Sequence, residues 1–364
     1  MNTGDCRYRA RRKRAARAGL VAILLVAALA GCRAADSPQA RFDDYLTRLA
    51  RTLDRDLPPA AATARSLYPP RRALAQPVQT PRTGWIGFFQ LHRCGLVNLI
   101  AERNSILGRV APPQARLAYE SRLLAGLIRC RAGYDGETDS DAHEFIARLD
   151  RLIALKRQAR AAIIWNQTMA SAPMAHLFSV AGGDAGLEPS LAGRTTRAAL
   201  SQLTEAIAEM QAERVVTEAT LVGVYETLDA SEYGGALQIA ALQAAAALER
   251  ASQLIETRLN ERPLCFNHRP NRRARVLHTI LVDVYGPRVQ AYLADLVRSG
   301  RLWRETVNAL IDRQRVTLPP EFTRYRAHTL TTQTGIWARL DRAIENHTEH
   351  WQQAMRQCDL MPAR

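Results

Sequence analysis

Lysine is nearly missing from this 364-residue sequence: among 50 basic residues, only Lys13 and Lys156 are lysines. The formal net charge of +15 is therefore carried by arginine, and it alternates with acids along helix-like stretches. Nucleic-acid binders gather positive charge on one face or in one run, so nucleic acid is not an expected partner, and the interspersed pattern is that of a solvated surface. Also missing is any Cys-x-x-Cys, which disfavours zinc and thioredoxin-like chemistry. There is no Gly-x-Ser-x-Gly elbow and no His-Glu-x-x-His, since His143-Glu144 has no second histidine at the required place. The glycine-rich Gly182-Gly183-Asp184-Ala185-Gly186 is followed by no Gly-Lys-Ser/Thr and preceded by no strand, so it reads as a plain connection. No repeat, long low-complexity tract or further membrane-spanning segment is legible beyond the N-terminus.

What is present begins with an export signal. Seven cations from Arg7 to Arg17 precede an uncharged run from Ala18 to Ala30, the basic and then apolar order of a secretory signal. That run falls short of the roughly 20 residues of a permanent span, and a cysteine follows it at once. Leu29-Ala30-Gly31-Cys32 resembles the lipobox of bacterial lipoproteins. The resemblance implies a Cys32 acylated at sulfur by a palmitate-type chain, with the mature protein starting there; more than one acyl chain makes a stable membrane tether. In Gram-negative members of that class an aspartate after the cysteine favours the inner membrane; Arg33 here implies the outer membrane, facing the periplasm. Removing the signal takes away seven cations and Asp5, leaving 43 against 34, or +9.

Leaving out Cys6 and Cys32, four cysteines remain: Cys94, Cys130, Cys265 and Cys358. An even count in an exported chain suggests disulfides, with three connectivities open. The favoured one pairs Cys94 with Cys130, which lie at similar distances either side of a turn between two helices, and Cys265 with Cys358.

The apolar spacing is helical almost throughout, predicting an all-α, multi-helix, mostly antiparallel bundle-like domain with long helices. Phe42, Tyr45, Leu46, Leu49 and Leu53 mark an amphipathic helix. A proline-rich stretch from Leu57 to Gly84 then reads as an extended connection, either a free linker or a strap. Helix is expected from Trp85 to about Asn104, from beyond Pro112-Pro113 to Cys130, and from Asp139 to Ala172, where Pro173 should end it. Val216, Leu221, Val224 and Leu228 fit a helical face better than a strand. Leu237, Ala241, Ala244, Leu248, Ala251 and Ile255 form a close-packing seam. Gly286-Pro287 should kink or divide a helix running from about Asn271 to Val297. The last helix carries Trp337, Leu340, Ile344, His347 and Trp351 on one face, which continues to Cys358. The organisation read from this is residues 1–31 as signal peptide, 32–83 as a lipid-anchored helix with its proline-rich connector, and 84–364 as the helical domain.

Several segments together resemble a family of gammaproteobacterial lipoproteins described only as a domain of unknown function. They are Phe42-Asp43-Asp44-Tyr45-Leu46, Ile100 to Ser105 with Leu107 to Val110, Arg262 to Asn267, Arg288-Val289-Gln290, and Trp351-Gln352-Gln353 leading to Cys358. The likeness covers nearly the whole mature chain and brings no activity with it. It adds weight to the Cys265–Cys358 pairing, because both cysteines sit inside matching segments.

Candidate chemistry is sparse. Glu102-Arg103-Asn104-Ser105 leading to Gly108-Arg109 could hold a phosphate or carboxylate through Arg103 and Arg109. Against that, Asn, Ser and Gly are ordinary residues for ending a helix, and Glu102 could pair locally with Arg103 or Arg109. His347 and His350, near Glu345 and Glu349, could ligate a metal, but His347 shares the apolar face of Trp351 and reads better as a packed histidine. The arginines at 269, 272, 273 and 275 start a helix against its dipole and suggest an anion or headgroup contact at most. No catalytic residue, metal or cofactor is assigned. The reading is a periplasm-facing lipoprotein, bound to the membrane through Cys32, that serves as a non-enzymatic interaction or structural component of the envelope. Its competitors are an envelope enzyme, such as a metal-dependent hydrolase, and a binder of lipid or another apolar ligand between helices.

Overall fold

A computed structural model of the protein describes residues 37–60, 64–78, 91–134, 140–183 and 187–361. The signal, Cys32, Pro81, Trp85, Asp139 and residues 184–186 of the glycine-rich connection lie outside the described residues. The described chain is mostly helix and contributes no sheet strand, an all-α fold.

The first helix, α1 (Pro38–Leu53), starts where the Ser37 side chain accepts a bond from the Ala40 N–H at 3.2 Å and Pro38 sets the first turn. It stops at Asp54, whose φ of 58° is left-handed and turns its N–H back onto the last carbonyls. Phe42, Tyr45, Leu46, Leu49 and Leu53 are all buried. The proline-rich segment after it is a strap laid on the body. Ser66 N–H donates to Gln238 Oε1 at 3.0 Å, Tyr68 Oη donates to the Met169 carbonyl at 2.6 Å, and Trp165 Nε1 donates to the Leu74 carbonyl at 2.7 Å. Within the strap, Arg71–Leu74 forms a single helical turn, α2.

A 3-10 turn (Leu91–Cys94), α3 (Val97–Asn104) and the short α4 (Ile106–Arg109) lead into α5 (Pro113–Ala132). Helix α6 (Ser140–Gln167) returns antiparallel to α5, with Arg131 at Asp150 and Lys156 at Glu120. These elements enclose a smaller apolar core around Leu91, Leu123, Leu127, Phe145, Leu149 and Ile153. Cys94 and Cys130 are joined across it, S–S 2.04 Å. Helix α6 does not reach Ala172. It ends at Gln167, and Pro173 instead opens α7 (Ala172–Leu177), capped by Ser171. Proline suits a first helical turn, whose N–H groups have no intrahelical partner in any case.

The larger core is built by α1, α7, α8 (Pro189–Gln211), α9 (Glu218–Asp229), α10 (Tyr233–Glu261), α12 (Ala291–Asp312), α13 (Pro320–Thr329) and α14 (Gly335–Arg356). Helix α10 is at its centre. From Leu237 to Leu248 its residues are almost all buried, as expected of a helix that is apolar all round. Its alanines let neighbours approach closely.

Besides the antiparallel hairpins, two long pairings run parallel. Glu249, Ser252 and Cys265 at the end of α10 meet Arg339, His347 and Cys358 at the end of α14, in the same order. Likewise Ser190 meets Asp295 and Gln211 meets Arg313, so α8 and α12 point the same way. The second disulfide, Cys265–Cys358, closes the α10 and α14 ends, S–S 1.99 Å.

Gly286-Pro287 does not divide its helix. The chain continues from α11 (Arg272–Thr279) through a π-helical segment, Ile280–Gln290, into α12. A π turn widens the ring of each hydrogen bond and accommodates both the proline ring and its missing donor, which would break a regular α-helix. Close packing is most demanding at Gly235, in the first turn of α10: a Cβ there would lie 1.6 Å from the Ser179 carbonyl oxygen. That oxygen is backbone and cannot rotate away. Gly235→Ala is expected to lower unfolding free energy by roughly 3 kcal/mol, read as a shift of the urea midpoint at unchanged m-value; an unshifted midpoint would show that the α7–α10 contact yields.

Candidate functional site

The segment around Arg103 and Arg109 is first a piece of capping chemistry. Ser105 ends α3 and begins α4, its hydroxyl accepting from the Gly108 N–H at 3.0 Å and donating to the Glu102 carbonyl at 2.7 Å. Arg103 Nη1 donates to the Gly108 carbonyl at 2.7 Å. Arg116, from the first turn of α5, reaches back to the Ala111 carbonyl through Nε at 2.8 Å and to the Arg109 carbonyl through Nη2 at 2.6 Å. Glu102 is not paired with Arg103 or Arg109, as local spacing suggested, but lies 3.7 Å from Arg122, one helix away. The helix turn has carried its side chain toward α5.

This turn faces a cavity of about 250 Å³ between the strap, α5 and α6. Arg71, Arg103, Arg116 and Lys156 line it together with Asn166 and one carboxylate, Glu120. Formally that is four cations against one anion. Glu120 is already engaged: Lys156 Nζ donates to its Oε2 at 2.8 Å, and both side chains are largely withdrawn from water. Asn166 is held by the strap, accepting from Gln76 N–H at 2.7 Å and donating to the Gln76 carbonyl at 2.8 Å. Partial burial and then the like charges of Arg103 and Arg71 lower the pKa of Arg116. The three guanidinium groups repel one another, and an anion placed among them would relieve that repulsion.

A second cavity, of about 240 Å³, adjoins the first and shares Arg103, Glu120 and Lys156 with it. Its remaining lining is apolar except for Asn104 and Arg109: Leu91, Ile100, Leu123, Leu127 and Leu152, with Tyr119. Tyr119 is pushed up to about 12 by burial and then by the charge of Glu120, so its phenol stays neutral. Sequence reasoning found Arg103 and Arg109 but missed Arg71, Arg116 and Lys156. The one available signal was that Lys156 is the sole lysine after residue 13.

The histidine candidates do not assemble a metal site. His347 is fully buried among polar partners: its Nε2 lies 2.7 Å from Tyr45 Oη and its Nδ1 3.1 Å from Ser252 Oγ. Trp351 Nε1 donates to Tyr45 Oη at 2.8 Å. One assignment satisfies this network, with Tyr45 donating to Nε2 and Nδ1–H donating to Ser252, around a neutral imidazole. Burial, and secondarily the charge of His350, holds His347 down at about 3. His350 points elsewhere, its Nδ1 2.6 Å from the Asn346 carbonyl. Among the described residues no three His, Cys, Asp or Glu side chains converge as a ligand set. At the arginine run, Asn271 caps α11 by accepting from Ala274 N–H at 2.9 Å, and Arg275 Nη1 donates to the Pro270 carbonyl.

No helix among the described residues is long and apolar enough to cross a membrane. No curated protein and no solved structure matches the chain. Residues 42–362, from α1 almost to the C-terminus, match one family throughout. The chain belongs to the family described as protein of unknown function (DUF3080).

Proposed function

We propose that this is a gammaproteobacterial lipoprotein, tethered through acylated Cys32 to the periplasmic face of the outer membrane, whose helical body is a non-enzymatic binding component for an anionic ligand. The observation that carries the binding role is the convergence of Arg71, Arg103, Arg116 and Lys156 on one cavity with a single, already paired carboxylate. Such a lining suits recognition of a phosphate or carboxylate by charge-assisted hydrogen bonds. The envelope address is supported by the signal-like N-terminus and by two cysteine pairs at bonding distance, which an oxidising compartment favours.

Arg41, near the start of α1, contacts Glu188 just before α8, whereas Arg157 and Arg160, close to the cavity, contact Glu213 just beyond the other end of α8. Along the 23 residues of α8 these two ends are about 35 Å apart. The start of α1 and the cavity therefore lie toward opposite ends of α8.

Two measurements test the reading. Cys32→Ala is expected to abolish membrane recovery after alkaline washing or to block processing; full recovery of a processed protein would overturn the anchor. Pyrophosphate should bind the purified protein at low ionic strength, and Arg103→Gln should weaken it by about tenfold, the scale of one charge-assisted hydrogen bond. No binding by either protein would remove the ligand role.

A further inference from the structure

The two adjoining cavities differ in chemistry in a way that a small inorganic anion does not use. The first has its cations and amides set beside Val78, Leu155 and Ile163, the second adds Leu91, Ile100, Leu123, Leu127, Leu152 and Tyr119 to a rim of Asn104 and Arg109, and Arg103, Lys156 and Glu120 stand where they meet. A compact anion would fill only the first and leave the second wet. A purely apolar molecule would occupy the second and bring no counter-charge to the guanidinium groups of Arg71, Arg103 and Arg116. Together their volumes, about 250 and 240 Å³, fall within the roughly 300–1,000 Å³ of small-molecule sites. The α4 turn, whose Arg109 lines the apolar cavity, exposes Ile106, Leu107 and Val110 at 83, 80 and 74 %. These are three of the most exposed large apolar side chains of the described protein, grouped within five residues. Clustered apolar exposure of this kind marks a contact surface more often than chance.

We propose that the two cavities form one site for a single-chain anionic amphiphile, with its carboxylate or phosphate head among Arg71, Arg103, Arg116 and Lys156 and its alkyl chain against Ile100, Leu123 and Leu152. This rests on the anion-binding reading above and names the ligand class for that same site. Charge complementarity selects the head, and burial of methylene groups, each worth a few-fold in affinity, selects the tail.

The test uses the mature chain, residues 32–364, with Cys32→Ser so that no covalent acyl group competes. Dodecanoate, monododecyl phosphate, dodecanol, acetate and inorganic phosphate are titrated below micelle-forming concentrations. Dodecanoate or monododecyl phosphate is expected to bind one per chain, at least tenfold tighter than dodecanol and a hundredfold tighter than acetate or inorganic phosphate. The tighter of the two amphiphiles identifies the head group. Arg71→Gln combined with Arg103→Gln should bring that amphiphile down to the affinity of dodecanol, and Ile100→Trp should weaken the amphiphiles while leaving inorganic phosphate unchanged.

A second readout needs no variant. Lys156 is the one lysine of residues 32–364, and bound dodecanoate should protect it from an amine-acylating ester, detected by peptide mass, where acetate does not. Amphiphiles that bind no tighter than acetate or phosphate, or that bind every variant equally and leave Lys156 unprotected, would overturn the inference. If inorganic anions still bind in an Arg103-dependent way, the anion-binding reading stands without it; if no anion binds, both fall.

Discussion

Replacing Cys265 and Cys358 together by alanine is expected to lower the unfolding free energy by about 4 to 5 kcal/mol. The two residues are 93 apart in sequence, and the chain-entropy cost of closing a loop of that length in the unfolded state is about 4.7 kcal/mol. Both belong to the larger core, with Cys358 wholly buried, so lost packing adds to the entropic effect. The bond also ties the ends of α10 and α14, which run parallel and have no short loop between them. By contrast Cys94 and Cys130 are 36 apart and close the smaller core, where the same reasoning gives about 3.8 kcal/mol. Urea unfolding of the two double variants measures both values. A Cys265/Cys358 variant that unfolds at the parent midpoint would refute this account.

Acidification should destabilise the protein through His347. Its folded pKa, about 3, lies below the unfolded value of roughly 6.5. The folded state therefore favours the neutral ring, and this contribution is complete above pH 6.5 and lost as the pH falls from 6.5 toward 3. Linkage gives a slope of roughly 1.4 kcal/mol per pH unit and a total on the order of 4 kcal/mol across that window. The physical cost is that of charging an imidazole among Tyr45, Tyr285, Ser252 and Trp351, with no carboxylate among its hydrogen-bonding partners. His347→Gln is expected to be less stable at pH 7 and to have a shallower profile between pH 6.5 and 4. Parallel profiles for the two proteins would show that His347 is not the titrating group.

Much of this was readable from local pattern. The three- and four-residue spacing of Phe42, Tyr45, Leu46 and Leu49 specifies a helix and its buried face without reference to anything else. His347 could be read as packed because it shares a stripe with Trp337, Leu340 and Trp351. Cys358 lies at the end of that same stripe, facing the loop that carries Cys265.

Other features needed the chain to be folded. The ring and missing N–H of Pro287 predict a kinked or divided helix, whereas the folded chain runs on through a π segment that packs against α1, where Tyr45 meets Tyr285 at 5.3 Å between ring centroids. The parallel direction of α10 and α14 is set by the intervening helices, which return the chain to the starting end, and no property of either sequence segment encodes it.

The cation cavity belongs to this second kind. Arg103 was visible as an arginine in a turn, but Arg71, Arg116 and Lys156 come from a strap and two helices spread over 86 residues. Helix formation, capping and the apolar stripes depend on interactions within a few residues, so the amino-acid order is sufficient to specify them. Which charges meet depends on how those stripes pack against one another. Arg71, Arg103, Arg116 and Lys156 meet beside Glu120 because the strap, α3, α5 and α6 pack around one cavity, an arrangement driven by burial of apolar surface and not by the charges themselves.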